Sequence, residues 1–256
     1  MIYKMLVMGI LNVTPDSFSD GGLFDSTEKA IARGLEMMAE GAEIIDIGGE
    51  STRPGAQRTS QDEELQRTIP VVKALAESGA VVSIDTMRAE VARAAVEAGA
   101  TYINDVSGGI ADPQMHETAA QLGVNYILMH WRGHSVDMNS RAIYSDVVEE
   151  VKSELSLQIG KALAAGISKQ NLFIDPGFGF AKDAEHNWEL LKRIDEIVEI
   201  GYPVLVGASR KRFLGGDTPL EREEATLDVT RGLIGKGIWG VRVHTVAPHR
   251  ELISHG

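Results

Sequence analysis

Eight short apolar runs recur along the chain, at Leu6–Ile10, Ile44–Ile47, Val81–Ile84, Tyr102–Ile103, Val124–Met129, Leu172–Ile174, Val204–Val206 and Val241–Val243. Most lack polar alternation, the pattern of parallel strands buried on both faces. Between them apolar residues return at helical spacing, as at Leu65, Ile69, Val72 and Ala76 or at Val147, Val151, Leu155 and Ile159, so each helix has one face to lay on a sheet. Helix starts are marked by a capping residue with a carboxylate three positions later, at Asp25 and Glu28, Ser60 and Glu63, Asp146 and Glu149, and Thr218 and Glu221. Asp112 and Thr218 are each followed by proline, which suits the first helical position. Gly41, Gly79, Gly99, Gly123, Gly166 and Gly201 are expected to stop helices as left-handed caps. A weaker last helix is expected near Pro248–Ile253.

This alternation predicts a single α/β domain over residues 1–256, a (β/α)8 TIM barrel, a fold that typically takes about 250 residues. A doubly wound open sheet is the alternative, but no GxGxxG turn joins a first strand to a first helix. In a barrel every strand end emerges on one rim, where such folds carry their catalytic groups. Each apolar run here stops at a polar cluster: Asn12, Asp46, Asp85, Asn104 with Asp105, His130, Asp175, Ser209 to Lys211, and Arg242 with His244.

Composition narrows the partners. A net charge of −12 argues against nucleic acid, which is bound by basic patches. With no cysteine, the chain has no disulfide framework, thiolate metal site or cysteine nucleophile. No stretch approaches the ~20 apolar residues that span a bilayer. The apolar segment Met5–Val13 is interrupted by Gly9 and Asn12, with no small-residue cleavage site after it. A soluble cytoplasmic protein is expected.

The rim clusters suggest chemistry. Asp85, Asn104 and Asp175 would form an acceptor-rich pocket suited to a flat heterocycle with an amidine-like N–H edge, since a carboxylate accepts two parallel hydrogen bonds. For each alone, a carboxylate satisfied by backbone N–H groups or a nearby arginine is the competing account. Lys211, Arg242 and His244 follow strands 7 and 8, where barrels of this kind frequently bind phosphate; for Arg210 and Arg212, surface ion pairs are expected. The loop Gly48–Gly55 carries Arg53 and two hydroxyls, with glycines that permit close approach to a ligand. Asn12 opens a long loop of small polar residues suited to a lid, or simply caps its strand. Zinc is disfavoured because His130 and His134 lack HExxH-like spacing. Magnesium beside a diphosphate fits better, since Mg²⁺ takes few protein ligands plus substrate phosphates.

The motifs MGILNVTPDSFSDGG from Met8, GGESTRPGA from Gly48, SIDT from Ser83, INDVSGG from Ile103, DPGFGFAK from Asp175, GASRKRFLG from Gly207 and VRVH from Val241 occur in family order. With them the chain resembles the dihydropteroate synthase family of pterin-binding proteins. The resemblance implies a usually dimeric barrel that condenses 4-aminobenzoate with 6-hydroxymethyl-7,8-dihydropterin diphosphate and releases diphosphate. It implies that Asp85, Asn104, Asp175 and Lys211 hold the pterin, that Arg242, His244 and Asn12 form the diphosphate site, and that Asn12 lies near Mg²⁺. Thr52, Arg53, Pro54, Phe180, Lys211 and Arg212 would line the aminobenzoate side, where sulfonamides would compete. Asp85, Lys211, Arg242 and His244 are the residues expected to act in catalysis. Two loops, Val13–Asp25 and Glu50–Gln61, would close over the reactants. Thr245 departs from the family, where aspartate often follows the histidine. The alternatives are a catalytically silent pterin-binding paralogue and a pterin-dependent methyl carrier; the latter has no evident use for Lys211, Arg242 and His244 together.

Overall fold

The computed structural model describes residues 5–14, 23–50, 58–134 and 138–255. Its eight strands are β1 (Leu6–Asn12), β2 (Ile44–Gly48), β3 (Val82–Asp85), β4 (Tyr102–Asp105), β5 (Asn125–Met129), β6 (Leu172–Asp175), β7 (Leu205–Val206) and β8 (Gly240–Val243). All pair in parallel, in the order β6-β5-β4-β3-β2-β1-β8-β7. A bridge from Ile174 to Val204 brings the two edges together, closing the barrel and ruling out the open doubly wound sheet. The polar residues that sequence reasoning put after the strands are mostly the strands' own last residues, because parallel pairing continues to Asn12, Gly48, Asp85 and Asp175.

The helices are α1 (Leu23–Ala39), α2 (Gln61–Glu77), α3 (Ala89–Glu97), α4 (Met115–Leu122), α5 (Val147–Ala164), α6 (Ala184–Lys192), α7 (Ile194–Val198), α8 (Glu223–Leu233) and α9 (Ala247–His255). Six glycines, Gly41, Gly79, Gly99, Gly123, Gly166 and Gly201, take positive φ where the helices end, as expected of left-handed caps. Ser60 and Glu63 form a reciprocal capping box, and Asp146 accepts from the backbone of Val148 and Glu149. Two expected starts are corrected, and a third does more than expected. α1 begins at Leu23, so Asp25 lies inside it. Thr218-Pro219 opens a turn in which Glu221 accepts from the Asp217 amide and donates through its own amide to Thr218 Oγ1, and α8 starts only at Glu223. Asp112 caps two places at once: one oxygen accepts from Gln114, just before α4, and the other accepts from Ala89 at the start of α3, at 2.8 Å.

Strand period two sorts the interior. Met8, Ile44, Ile127, Phe173, Leu205 and Trp239 cluster inside the barrel and plug it, away from the rim. The alternate residues, such as Val7, Ile45, Ile84, Ile103, Leu128 and Val241, join the larger core between sheet and helices. Above the plug, the inward positions change from apolar to charged.

Candidate active site

Arg242, the inward residue of β8, lies across the barrel interior. Its Nε donates to Asp46 Oδ2 on β2 and its Nη2 to Asp85 Oδ2 on β3, both at 2.5 Å. Asn104 on β4 donates to the same Asp46 oxygen at 2.9 Å. Four residues from four strands thus form one buried network, with Asp46 completely shielded from solvent. Asp46 lies on the rim as expected and also belongs to the pocket, whose expected acceptor set omits it; its signal is a carboxylate inside the apolar run Ile44-Ile45-Asp46-Ile47. Asp46 Oδ1 and the Ser83 hydroxyl, on paired positions of β2 and β3, have no hydrogen-bond partner among the described residues. Burial holds the Asp85 carboxyl above the usual carboxylate range, against the pull of Arg242.

Asp175 closes β6 with one oxygen accepting the Gly177 amide at 2.7 Å. Burial outweighs that bond and the nearby cations, and raises its pKa to about 6. A Cβ on Gly207 would stand 3.4 Å from Asp175 Oδ2 and one on Gly48 3.6 Å from Asp85 Oδ2 and 3.7 Å from Asn12 Oδ1, so both glycines lie directly beside these acceptors. Lys211 places its ammonium 4.1 Å from the centroid of the Phe180 ring, a cation–π contact. Burial and the neighbouring Arg242 lower the Lys211 pKa to about 8. His244 follows β8 and is fixed by Ser209, whose hydroxyl accepts the His244 amide at 3.2 Å and lies 3.0 Å from its Nδ1.

Asn12, Asp85, Asn104, Asp175, Phe180, Lys211, Arg242 and His244 therefore share the rim and its interior. Arg212 does not join them in the structure; its side chain is exposed at the head of the turn Arg212–Leu214. Arg210 pairs with Glu223 as a surface ion pair, as expected. Thr245 donates to Glu223 and accepts from Arg210. Thr52, Arg53 and Pro54, with most of both expected mobile loops, lie outside the described residues. Asp105 and His130 turn away from the pocket, as alternation requires. Asp105 accepts from Ser107, Gly109 and Tyr126 in the shell, and His130 reaches Glu154 on α5. No group of three or more His, Cys, Asp or Glu among the described residues is arranged to hold a metal.

Residues 8–244 match the family of pterin binding enzymes. The dihydropteroate synthase of Mycobacterium leprae (strain TN) is 52% identical over 250 residues, covering 94% of this chain and 88% of the relative. The chain belongs to the dihydropteroate synthase family of pterin-binding enzymes. A structure of the Xanthomonas albilineans family member with 4-aminobenzoic acid superposes with a TM-score of 0.92 at 43% identity, covering 98% of this chain and 91% of the other. The Yersinia pestis synthase with a sulfonamide drug complex also gives 0.92, at 40% identity over 98% and 92% of the two chains. These family members are synthases, which favours catalysis over the silent pterin-binding alternative.

Proposed function

We propose that the chain condenses 4-aminobenzoate with 6-hydroxymethyl-7,8-dihydropterin diphosphate, giving 7,8-dihydropteroate and diphosphate. The observation that carries this reading is the rim itself: Asp85, Asn104 and Asp175 supply acceptors, and Arg242, bonded to Asp85, stands among them with Lys211 and the imidazole of His244. The acceptors suit the N–H edge of a pterin and the cations suit a diphosphate. The ring's exocyclic C–O bond breaks first, its electron pair leaving with diphosphate, and the electron-rich ring carries the positive charge. Arg242, Lys211 and His244 stabilise the departing anion by preorganised electrostatics. The neutral arylamine attacks the exocyclic carbon and loses a proton. It needs no strong base. Phe180 and Lys211 form the described part of the aminobenzoate side, with Thr52 and Arg53 as the proposed remainder and Arg212 at its exposed edge. Sulfonamides, which share the arylamine shape, compete there.

The donor set fits Mg²⁺. Asn12 offers a hard amide oxygen beside Asp85 at Gly48, and Mg²⁺ takes few protein ligands plus substrate phosphates. When bound, the ion neutralises diphosphate charge. A homodimer belongs to the same proposal: an apolar groove of about 400 Å³ between α6 and α8, lined by Trp188, Leu191, Val229 and Leu233, offers a face for a second copy. A cytoplasmic location suits a charged diphosphate substrate that does not cross membranes unaided. No described helix is long and apolar enough to cross one.

The deciding experiment follows dihydropteroate by chromatography, with diphosphate release, in the presence of Mg²⁺. Aminobenzoate-dependent product establishes the reading. Pterin binding without product overturns catalysis, and no pterin binding overturns the pocket assignment.

A further inference from the structure

The proposed reaction leaves one buried lysine unused. Lys182 lies at the end of the segment Asp175–Lys182, is almost wholly buried, and makes three contacts from one ammonium: Gly177 O at 3.0 Å, Phe180 O at 3.2 Å and His130 Nδ1 at 2.9 Å. Burial lowers the Lys182 pKa to about 7; in the protonated form its three N–H donors meet three acceptors, so the ammonium is fully satisfied without a substrate. On its far side, His130 Nε2 lies 2.9 Å from Glu154 Oε2, and Glu154 is gripped in turn by Arg132. Burial and the Lys182 charge lower the His130 pKa to about 4. The imidazole is therefore neutral at pH 7, accepting from Lys182 at Nδ1 and donating to Glu154 at Nε2.

The segment that Lys182 holds is strained. Gly177, Gly179 and Ala181 have φ of 71°, 74° and 46°, and the left-handed region is costly for alanine. A Cβ on Gly177 would lie 2.4 Å from the His130 carbonyl oxygen, so the turn is pressed directly against β5's end. Asn187 on α6 supplies a second anchor, accepting from the Gly179 amide and donating to the Lys182 carbonyl. What this turn presents to the pocket is the Gly177 amide on Asp175 and the Phe180 ring under Lys211. Strained backbone persists only where its surroundings over-determine it.

We propose that Lys182, braced by His130 and Glu154, is a positioning residue that fixes the Asp175–Lys182 turn and through it the pterin-binding Asp175 and the Phe180 ring. This rests on the function proposed above. The three donors of the ammonium are engaged by Gly177, Phe180 and His130, so its removal acts through the geometry of the groups it holds. Lys182→Met keeps the unbranched stem and removes all three donors. In protein shown to be folded by circular dichroism, the Kd for 6-hydroxymethyl-7,8-dihydropterin diphosphate, measured by calorimetry, is expected to rise between about 10- and 100-fold, as small misplacements at a site can cost. Amide exchange at Gly177–Phe180 should quicken, while exchange in α2 and α3 on the opposite side stays unchanged. Glu154→Gln, made in a half-exposed position, should shift the same Kd in the same direction by less.

A folded Lys182→Met protein with a lower melting temperature but unchanged pterin Kd overturns the proposal and leaves Lys182 a structural residue only. If the Met variant does not fold, Glu154→Gln decides: a raised Kd supports positioning and an unchanged one overturns it. Wild-type protein that binds pterin but yields no dihydropteroate would refute the synthase reading alone, because the comparison of wild-type and variant Kd values stands without turnover.

Discussion

Asp46 shows how a charge can organise a site without facing the solvent. It joins Arg242 to Asn104 from inside the barrel, and removing one partner of a buried pair leaves the other uncompensated. Asp46→Asn keeps the shape and removes the charge, so it should cost about 3 kcal/mol in a denaturant titration and weaken pterin binding by displacing Arg242. An unchanged midpoint with unchanged affinity would show that Asp85 alone holds the arginine. Asp175 makes a second residue-scale prediction. Its carboxyl, at about 6 when the pocket is empty, must be ionised to accept the pterin N–H edge. Binding below pH 6 should therefore release a proton, seen as a buffer-dependent calorimetric enthalpy, and affinity should climb as pH rises through 6. Asp175→Asn should abolish the proton release; an Asn variant with full activity and affinity would remove Asp175 from the pocket.

At the scale of elements, the apolar runs fixed where strands form because a strand buried on both faces has no other pattern available to it, and Asn12, Asp85 and Asp175 were legible as strand ends for that reason. The sequence was less informative wherever one side chain serves two elements. Asp112 reads as the cap of the following helix, yet one of its oxygens holds the start of α3, more than twenty residues earlier. His130 reads as a rim residue, but Lys182, which explains it, lies in a different motif. Asp105, adjacent to a pocket residue, points the other way because alternation turns it into the shell. Asp112→Ala should lower stability by about 1 kcal/mol, the usual worth of a helix cap, and leave pterin affinity intact; a loss of affinity would show that α3 positions Asp85 through the β3–α3 turn.

Across the whole molecule, the empty site is stabilised least near neutral pH. A raised carboxyl favours the folded state below its unfolded value of 3.8, and this advantage is lost as pH climbs through about 6. For Asp175 that displacement amounts to about 3 kcal/mol. Lys211, depressed from 10.5 to about 8, favours the fold at high pH and loses that contribution as pH falls through about 8. Between roughly pH 6 and 8 both groups are charged in a pocket that desolvates them, and the ammonium and carboxylate only partly offset one another. A ligand with N–H donors for Asp175 and a diphosphate for the cations relieves both at once. The pterin diphosphate should therefore raise the melting temperature most near neutral pH and progressively less below pH 6, where Asp175 is already neutral. Scanning calorimetry from pH 5 to 8, with and without 6-hydroxymethyl-7,8-dihydropterin diphosphate, tests this directly. A ligand-induced shift that is flat across that range would mean that the buried charges find their compensation inside the protein.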